Sequence, residues 1–384
     1  MPKPLLFRRC ATVLLAALAG APTQAGDSDA SEILIGQSAA LSGANARNGL
    51  FYSNGARLYF DAVNRAGGIF GRRLRLISMD DRGWPRLAQA NTRKLIVDGG
   101  VIALFGYTGA TSSKAALPMA NQAGVPFFGP RSGIHGQGSY AGNRMLFTVR
   151  ASQRDELSFL VAQLTAIGLR RLAIIHADDE AGHASIALAA QLLQASGGSL
   201  VAGVPMARSQ TFGADAEEAA DSLLRHRPDA VLIGSDAQSG AAVIHELRRR
   251  GYVGPFYGLS HLGPVSFREL LGEDSAGVAV AQTVPFPWRA SSAIAAEYRK
   301  LAERHGDAVT FVGLEGFLAA KVLCEGLRRA GPQPTRQKLV LALESINDGN
   351  YDVGNFSLNF SAANHHGSRY VDMSAISRDG SFLN

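Results

Sequence analysis

The residues best placed to do chemistry fall in six short stretches, 42–48, 107–113, 130–133, 177–181, 235–236 and 260–261. Each follows an apolar run and leads toward a helical pattern, where unpaired backbone N–H groups and the helix dipole favour a carboxylate or another acceptor-rich group. In the first, small residues let backbone approach a solute, and Arg47 and Asn48 are within reach of it, unless Asn48 only serves a turn feeding a helix. The second runs Tyr107-Thr108-Gly109-Ala110-Thr111-Ser112-Ser113, with Thr111 or Ser112 a natural N-cap. In the third, Pro130-Arg131-Ser132-Gly133, Arg131 either pairs with an anion or is solvated. Asp179, Asp236 and Ser260 offer polar groups from the later stretches. The two acids would otherwise be helix N-terminal residues, an effect of roughly 0.3–1 kcal/mol. This is recognition chemistry, not catalysis.

Catalytic and cofactor signatures are missing. No G-x-x-x-x-G-K-[ST], H-E-x-x-H or G-x-S-x-G occurs. The glycines between 129 and 138 do not open a helix directly after a strand, as a dinucleotide site requires. His365-His366 reads as a solvated pair at a hairpin tip. Cys324 lies in the helical pattern 312–330, where a buried inert thiol is expected. No cofactor and no metal are expected.

The elements that must position these loops alternate almost without a break. Apolar strands at 33–39, 74–79, 102–107 and 125–129 are separated by helices at 49–65, 86–97 and 111–123. The pattern restarts with a helix at 154–167 and strands at 171–176, 200–204, 229–233, 255–258 and 277–283. Helices at 182–195, 214–225 and 240–250 lie between them. Short apolar strands between amphipathic helices predict parallel sheet covered on both faces, here as two doubly wound α/β sheets. Helices at 292–303, 312–330 and 336–345 follow, then a hairpin of strands 355–360 and 370–377.

The chain has 384 residues, 46% hydrophobic and 18% charged, enough for two well-packed domains. Residues 1–25 have the three parts of a cleaved export signal. Lys3, Arg8 and Arg9 form its basic start, 10–20 its apolar core, and Thr23-Gln24-Ala25 its cleavage site. An apolar core this short cannot cross a hydrocarbon layer of roughly 30 Å. Its removal lowers the formal charge from +6 to about +3, which supports neither a nucleic-acid nor an anionic-membrane partner. No later run is apolar enough to span a bilayer.

Across about residues 31–380 the chain resembles the periplasmic solute-binding proteins of the leucine/isoleucine/valine-binding type, which serve ABC transporters. The resemblance rests on the order and spacing of several motifs. They are Ser42-Gly43, Asn54-Gly55-Ala56, the run Ala66-Gly67-Gly68-Ile69-Phe70-Gly71-Arg72, Asp80-Asp81, Ala123-Gly124-Val125-Pro126 and Ala173-Ile174-Ile175-His176. It implies a type I periplasmic binding protein fold: two lobes joined by a three-crossing hinge near 148–151, 282–285 and 347–355. Lobe one is then 28–148 plus 284–350, and lobe two 149–283 plus 351–384. A solute captured between the lobes bridges the closed state, which ABC permease subunits read.

The resemblance also exposes departures. Asn48 stands where the family often has an aromatic lid. Ala110 replaces a serine, and Gly133 a threonine, that hold the carboxylate in amino-acid binders. Ala181 replaces a tyrosine, Asp236 aligns with another aromatic position, and Ser260 with the acid that binds the ligand ammonium. Asp236 or Asp179 is left to supply the missing negative charge. The expected solute is therefore a small polar or carboxylate-bearing molecule, amino-acid-like, an organic acid or an amide, with weak or no binding of leucine, isoleucine or valine. The expected role is an exported, non-enzymatic receptor of an importer, or alternatively a periplasmic sensor presenting its closed form to a signalling partner.

Overall fold

The structure is a computed structural model that describes Met1 and residues 32–43, 46–132, 143–206, 213–289 and 291–384. Most of the expected export signal, and Gly133, lie outside the described residues.

Strand β1 (Glu32–Ala39) shows how the sequence builds the first sheet. Its side chains alternate between faces, so Ile33 and Ile35 enter one apolar core while Leu34 packs against another. Helix α1 (Ala46–Arg65), β2 (Arg73–Asp80), α2 (Pro85–Val97), β3 (Ala103–Phe105), α3 (Ala110–Gln122), β4 (Phe127–Phe128) and β5 (Leu146–Phe147) complete this unit. The five strands are parallel in the order β2-β1-β3-β4-β5.

The second sheet repeats the plan. Helix α4 (Gln153–Ala166) leads to β6 (Arg171–Ala177), whose Ala173 and Ile175 face one core and Leu172 and Ile174 the other. Then come α5 (Glu180–Ala195), β7 (Ser199–Met206), α6 (Gly213–His226), β8 (Ala230–Gly234), α7 (Ala237–Arg249), β9 (Phe256–Gly258), α8 (Pro264–Leu271) and β10 (Val278–Gln282). After β10 the chain forms α9 (Ala293–His305), α10 (Phe311–Arg329) and α11 (Arg336–Glu344), then β11 (Asp372–Ile376) and β12 (Phe382–Leu383). The order is β12-β11-β10-β9-β8-β6-β7, parallel except that β11 runs antiparallel to both β10 and β12. The expectation of two mostly parallel, doubly wound sheets is met.

Helices α9, α10 and α11 pack back on the first sheet, where α10 lies against α1. Glycines set that approach. A Cβ on Gly55 would stand 1.8 Å from the Gly313 carbonyl oxygen, and one on Gly316 would stand 2.1 Å from the Tyr52 carbonyl oxygen.

Two expectations fail here. Residues 355–360 alternate, burying Phe356, Leu358 and Phe360, yet form no named strand; the buried face enters the first core instead of a hairpin ladder. The histidines are not solvated either. His365 is 8% exposed and stacks on Phe147 at 3.8 Å, while His366 meets Thr148 and Asp155. Among the described residues no helix is long and apolar enough to cross a membrane.

Candidate functional site

In each sheet the strand order reverses beside the first strand of the unit, between β1 and β3 and between β6 and β8. Loops leaving such neighbours part to opposite faces and open a crevice at the carboxyl ends. The two crevices meet in one cavity of about 180 Å³. Ala40, Thr108, Thr111 and Ser132 line it from the first unit, and Ala177, Asp179, Gly234 and Asp236 from the second.

The start of α3 is its most reactive wall. Gly109, at φ 85°, is the N-cap and supplies no side chain, so Ala110, Thr111 and Ser112 are the first three helical residues and neither Thr111 nor Ser112 is the cap. Their N–H groups precede the helical ladder, and no acid in the first turn offsets the positive end of the dipole. The Ser112 Oγ, on a residue 1% exposed, is buried with no hydrogen-bond partner, as is the Ser132 Oγ. Orphaned buried hydroxyls carry a desolvation cost unless something meets them.

Tyr107 is elsewhere. Its ring turns into the core at 4.6 Å from Phe127, and its hydroxyl bonds to Thr92 Oγ1 at 2.8 Å. Burial pushes its phenol well up. The strand ends at Phe105, and Gly106 at φ 61° breaks the alternation, so Tyr107 joins Leu104 on the α2–α3 side while Phe105 faces the other core.

The acids of the opposite wall are helix caps. Asp179 Oδ1 accepts from Gly182 N at 2.8 Å. Asp236 Oδ1 accepts from Gln238 N at 3.0 Å and Ser239 N at 3.1 Å, and its Oδ2 accepts from Ser239 Oγ at 2.8 Å. Asn48 lines the cavity but reaches across it: Nδ2 donates to the Leu262 carbonyl at 3.2 Å, and Oδ1 accepts from Ser266 Oγ at 3.0 Å.

The floor is a charge network. Arg131, 5% exposed, is not solvated. Its Nε stands 3.3 Å from Glu315, Nη2 donates to the Ser260 carbonyl at 2.8 Å, and Nη1 to the His261 carbonyl at 3.3 Å. Arg150 donates to Glu315 at 3.1 Å, to Glu156 at 3.0 Å and to Ser260 Oγ. Glu156 also accepts from Ser260 N at 2.7 Å and Ser260 Oγ at 2.8 Å. Ser260 therefore sits beneath the cavity, in the network, and does not line it. Burial lowers the Arg131 pKa, whereas for Arg150 the two glutamates outweigh burial and raise it. His261 Nε2 is 2.8 Å from the Ser235 carbonyl. That oxygen only accepts, so Nε2 carries the proton and Nδ1 is left as an acceptor; burial lowers the ring's pKa.

Arg150, Glu156 and Glu315 escaped the sequence reading. A separation of 165 residues from Glu315 left Arg150 without a motif. Glu315 did leave a signal, as a lone acid in the apolar run Phe311-Val312-Gly313-Leu314-Glu315-Gly316-Phe317 at a helix start.

The family described as periplasmic binding protein matches residues 32–381. A possible leucine/isoleucine/valine-binding protein from Rhodopirellula baltica superposes with a TM-score of 0.85 at 24% identity, covering 94% of this chain and 98% of its own. A substrate-binding periplasmic protein from Ralstonia solanacearum gives 0.83 at 29% identity, covering 92% and 99%. An amino acid binding protein of Pseudomonas aeruginosa is 29% identical over 154 residues, 39% of this chain. That match spans only 40% of the relative's length.

Proposed function

This chain belongs to the periplasmic binding protein family, whose members bind solutes without transforming them, and from that premise we propose that it is the exported receptor of an ABC importer. Residues 1–25 direct export, and the mature chain captures a small acid between its lobes. We assign the lobes as 32–148 plus 284–368 and 149–283 plus 369–384, because residues 353–360 pack with the first core.

One observation carries the reading of the ligand: the unpartnered Ser112 Oγ beside the uncapped start of α3, facing a cavity shared by two lobes. Three first-turn N–H groups with the Thr111, Ser112 and Ser132 hydroxyls make a donor set for a carboxylate. Leucine, isoleucine and valine are weak ligands in this reading, because Ala110 and Ser260 do not supply the head-group contacts that the family resemblance expects.

A thermal-shift screen of organic acids, amides and amino acids tests it. A saturable rise in Tm without turnover is expected. Ser112→Ala should weaken the best ligand about 10-fold while leaving the unliganded Tm unchanged, because its hydroxyl has no internal partner to lose. Product formation, or an unaltered affinity in Ser112→Ala, would overturn the proposal.

A further inference from the structure

Resting on that reading, we infer that the site takes an acid with no ammonium group beside its carboxylate: a 2-oxo, 2-hydroxy or unsubstituted carboxylic acid, not an α-amino acid. An α-ammonium is one carbon from its carboxylate. With the carboxylate at the start of α3, it reaches only the groups around that start, the 130–132 loop and the floor beneath. Its three N–H donors need acceptors there.

The acceptors of the floor are already engaged by its own donors. The Ser260 and His261 carbonyls accept from Arg131. Both oxygens of Glu156 are taken by Arg150 and by Ser260 N and Oγ, and both oxygens of Glu315 are faced by Arg150 and Arg131. Arg131, Arg150 and Glu156 line the cavity there, and each guanidinium is paired with a glutamate. Arg131 thus reaches across the cleft to the backbone at 260–261. A further cation meets two guanidinium groups and finds no unpaired carboxylate in the floor, so it is disfavoured there. An oxo group meets the Thr111 or Ser132 hydroxyl instead, and a hydroxyl can donate to His261 Nδ1.

The experiment is calorimetry of the mature chain with paired probes that differ at one carbon. They are leucine and 4-methyl-2-oxopentanoate, phenylalanine and phenylpyruvate, and glutamate and 2-oxoglutarate. At least one acid should bind saturably, with its amino-acid partner about 100-fold weaker or undetected. Amino acids binding as tightly as their partners would overturn the inference and leave the acid-site reading standing. So would amino-acid binding that Asp179→Asn abolishes, since Asp179 would then hold the cation. Heat from neither member of any pair would remove the acid-site reading and this inference with it. The double variant Arg131→Met/Glu315→Gln removes one cation and its counter-charge together, and should narrow the gap to within about 10-fold. If it melts cooperatively and keeps the full gap, Arg131 does not set the selectivity. If it does not fold, the wild-type pairs decide.

Discussion

Asp155 shows how much one carboxylate can carry at the start of α4. It closes a capping box with Ser152, whose N–H donates to Oδ2 at 2.9 Å while Asp155 N donates to Ser152 Oγ at 3.2 Å. The same Oδ2 lies 3.0 Å from His366 Nε2. Burial pushes this carboxyl up, but the hydrogen bonds from His366 and Ser152 outweigh it and hold it at about 2. A depressed carboxylate stabilises the fold above its unfolded value, and that stability is lost as pH falls through the folded one. Asp155→Asn should therefore cost about 2 kcal/mol at neutral pH. The difference should shrink as the pH falls from about 4 toward about 2. Urea midpoints of both proteins across that range check it; a gap that persists at the acid end would refute it. The capping box was readable in sequence as Ser152-x-x-Asp155. Its third partner, 211 residues away, was not.

At the scale of elements, the α1–α10 contact is the tightest in the first lobe. Gly→Ala inside a helix ordinarily stabilises by about 0.5–1 kcal/mol. Gly55 reverses the sign, because its Cβ would meet the Gly313 carbonyl at 1.8 Å, and a backbone atom cannot rotate away. Gly55→Ala should destabilise by about 2–3 kcal/mol and lower Tm, with α1 displaced from α10. Gly67→Ala is the control, since a Cβ there meets nothing within 4 Å; at φ 99° it costs only backbone strain. Equal losses in the two variants would count against close packing as the cause. Asn54-Gly55-Ala56 was noticed in the sequence as a motif, yet its reason is a helix more than 250 residues later.

Across the whole molecule, side chains of the two lobes touch directly. Arg47 pairs with Glu269 at 2.5 Å, Lys114 pairs with Glu180, and Asn48 joins Leu262 and Ser266. Gly263 lies under Asn48 at φ 70°, and a Cβ there would be 2.1 Å from Asn48 Oδ1. Gly263→Ala should therefore prop the cleft open. We expect a larger radius of gyration in solution scattering and weaker binding of any ligand that bridges the lobes. Adding Asn48→Ala removes the obstruction and should restore much of the compact form, a coupling that a double-mutant cycle measures. Unchanged scattering in Gly263→Ala would show that Asn48 does not set closure.

Sequence by itself determined the two sheets and the loops at their carboxyl ends, because the strand period of two and the helix period of 3.6 are local and repeat in each unit. It also brought forward residues 110–112 and 131–132, which line the cavity. Only the tertiary structure decided what those residues do. Arg131 is a bridge and not a solvated cation, Asp179 and Asp236 are caps, and Tyr107 is core. The partners that settle these cases lie a turn away for the two caps, in other elements for Tyr107, and for Arg131 more than a hundred residues along the chain, at Glu315 and Ser260. Charge pairing is set by distance in space, and sequence separation does not encode it.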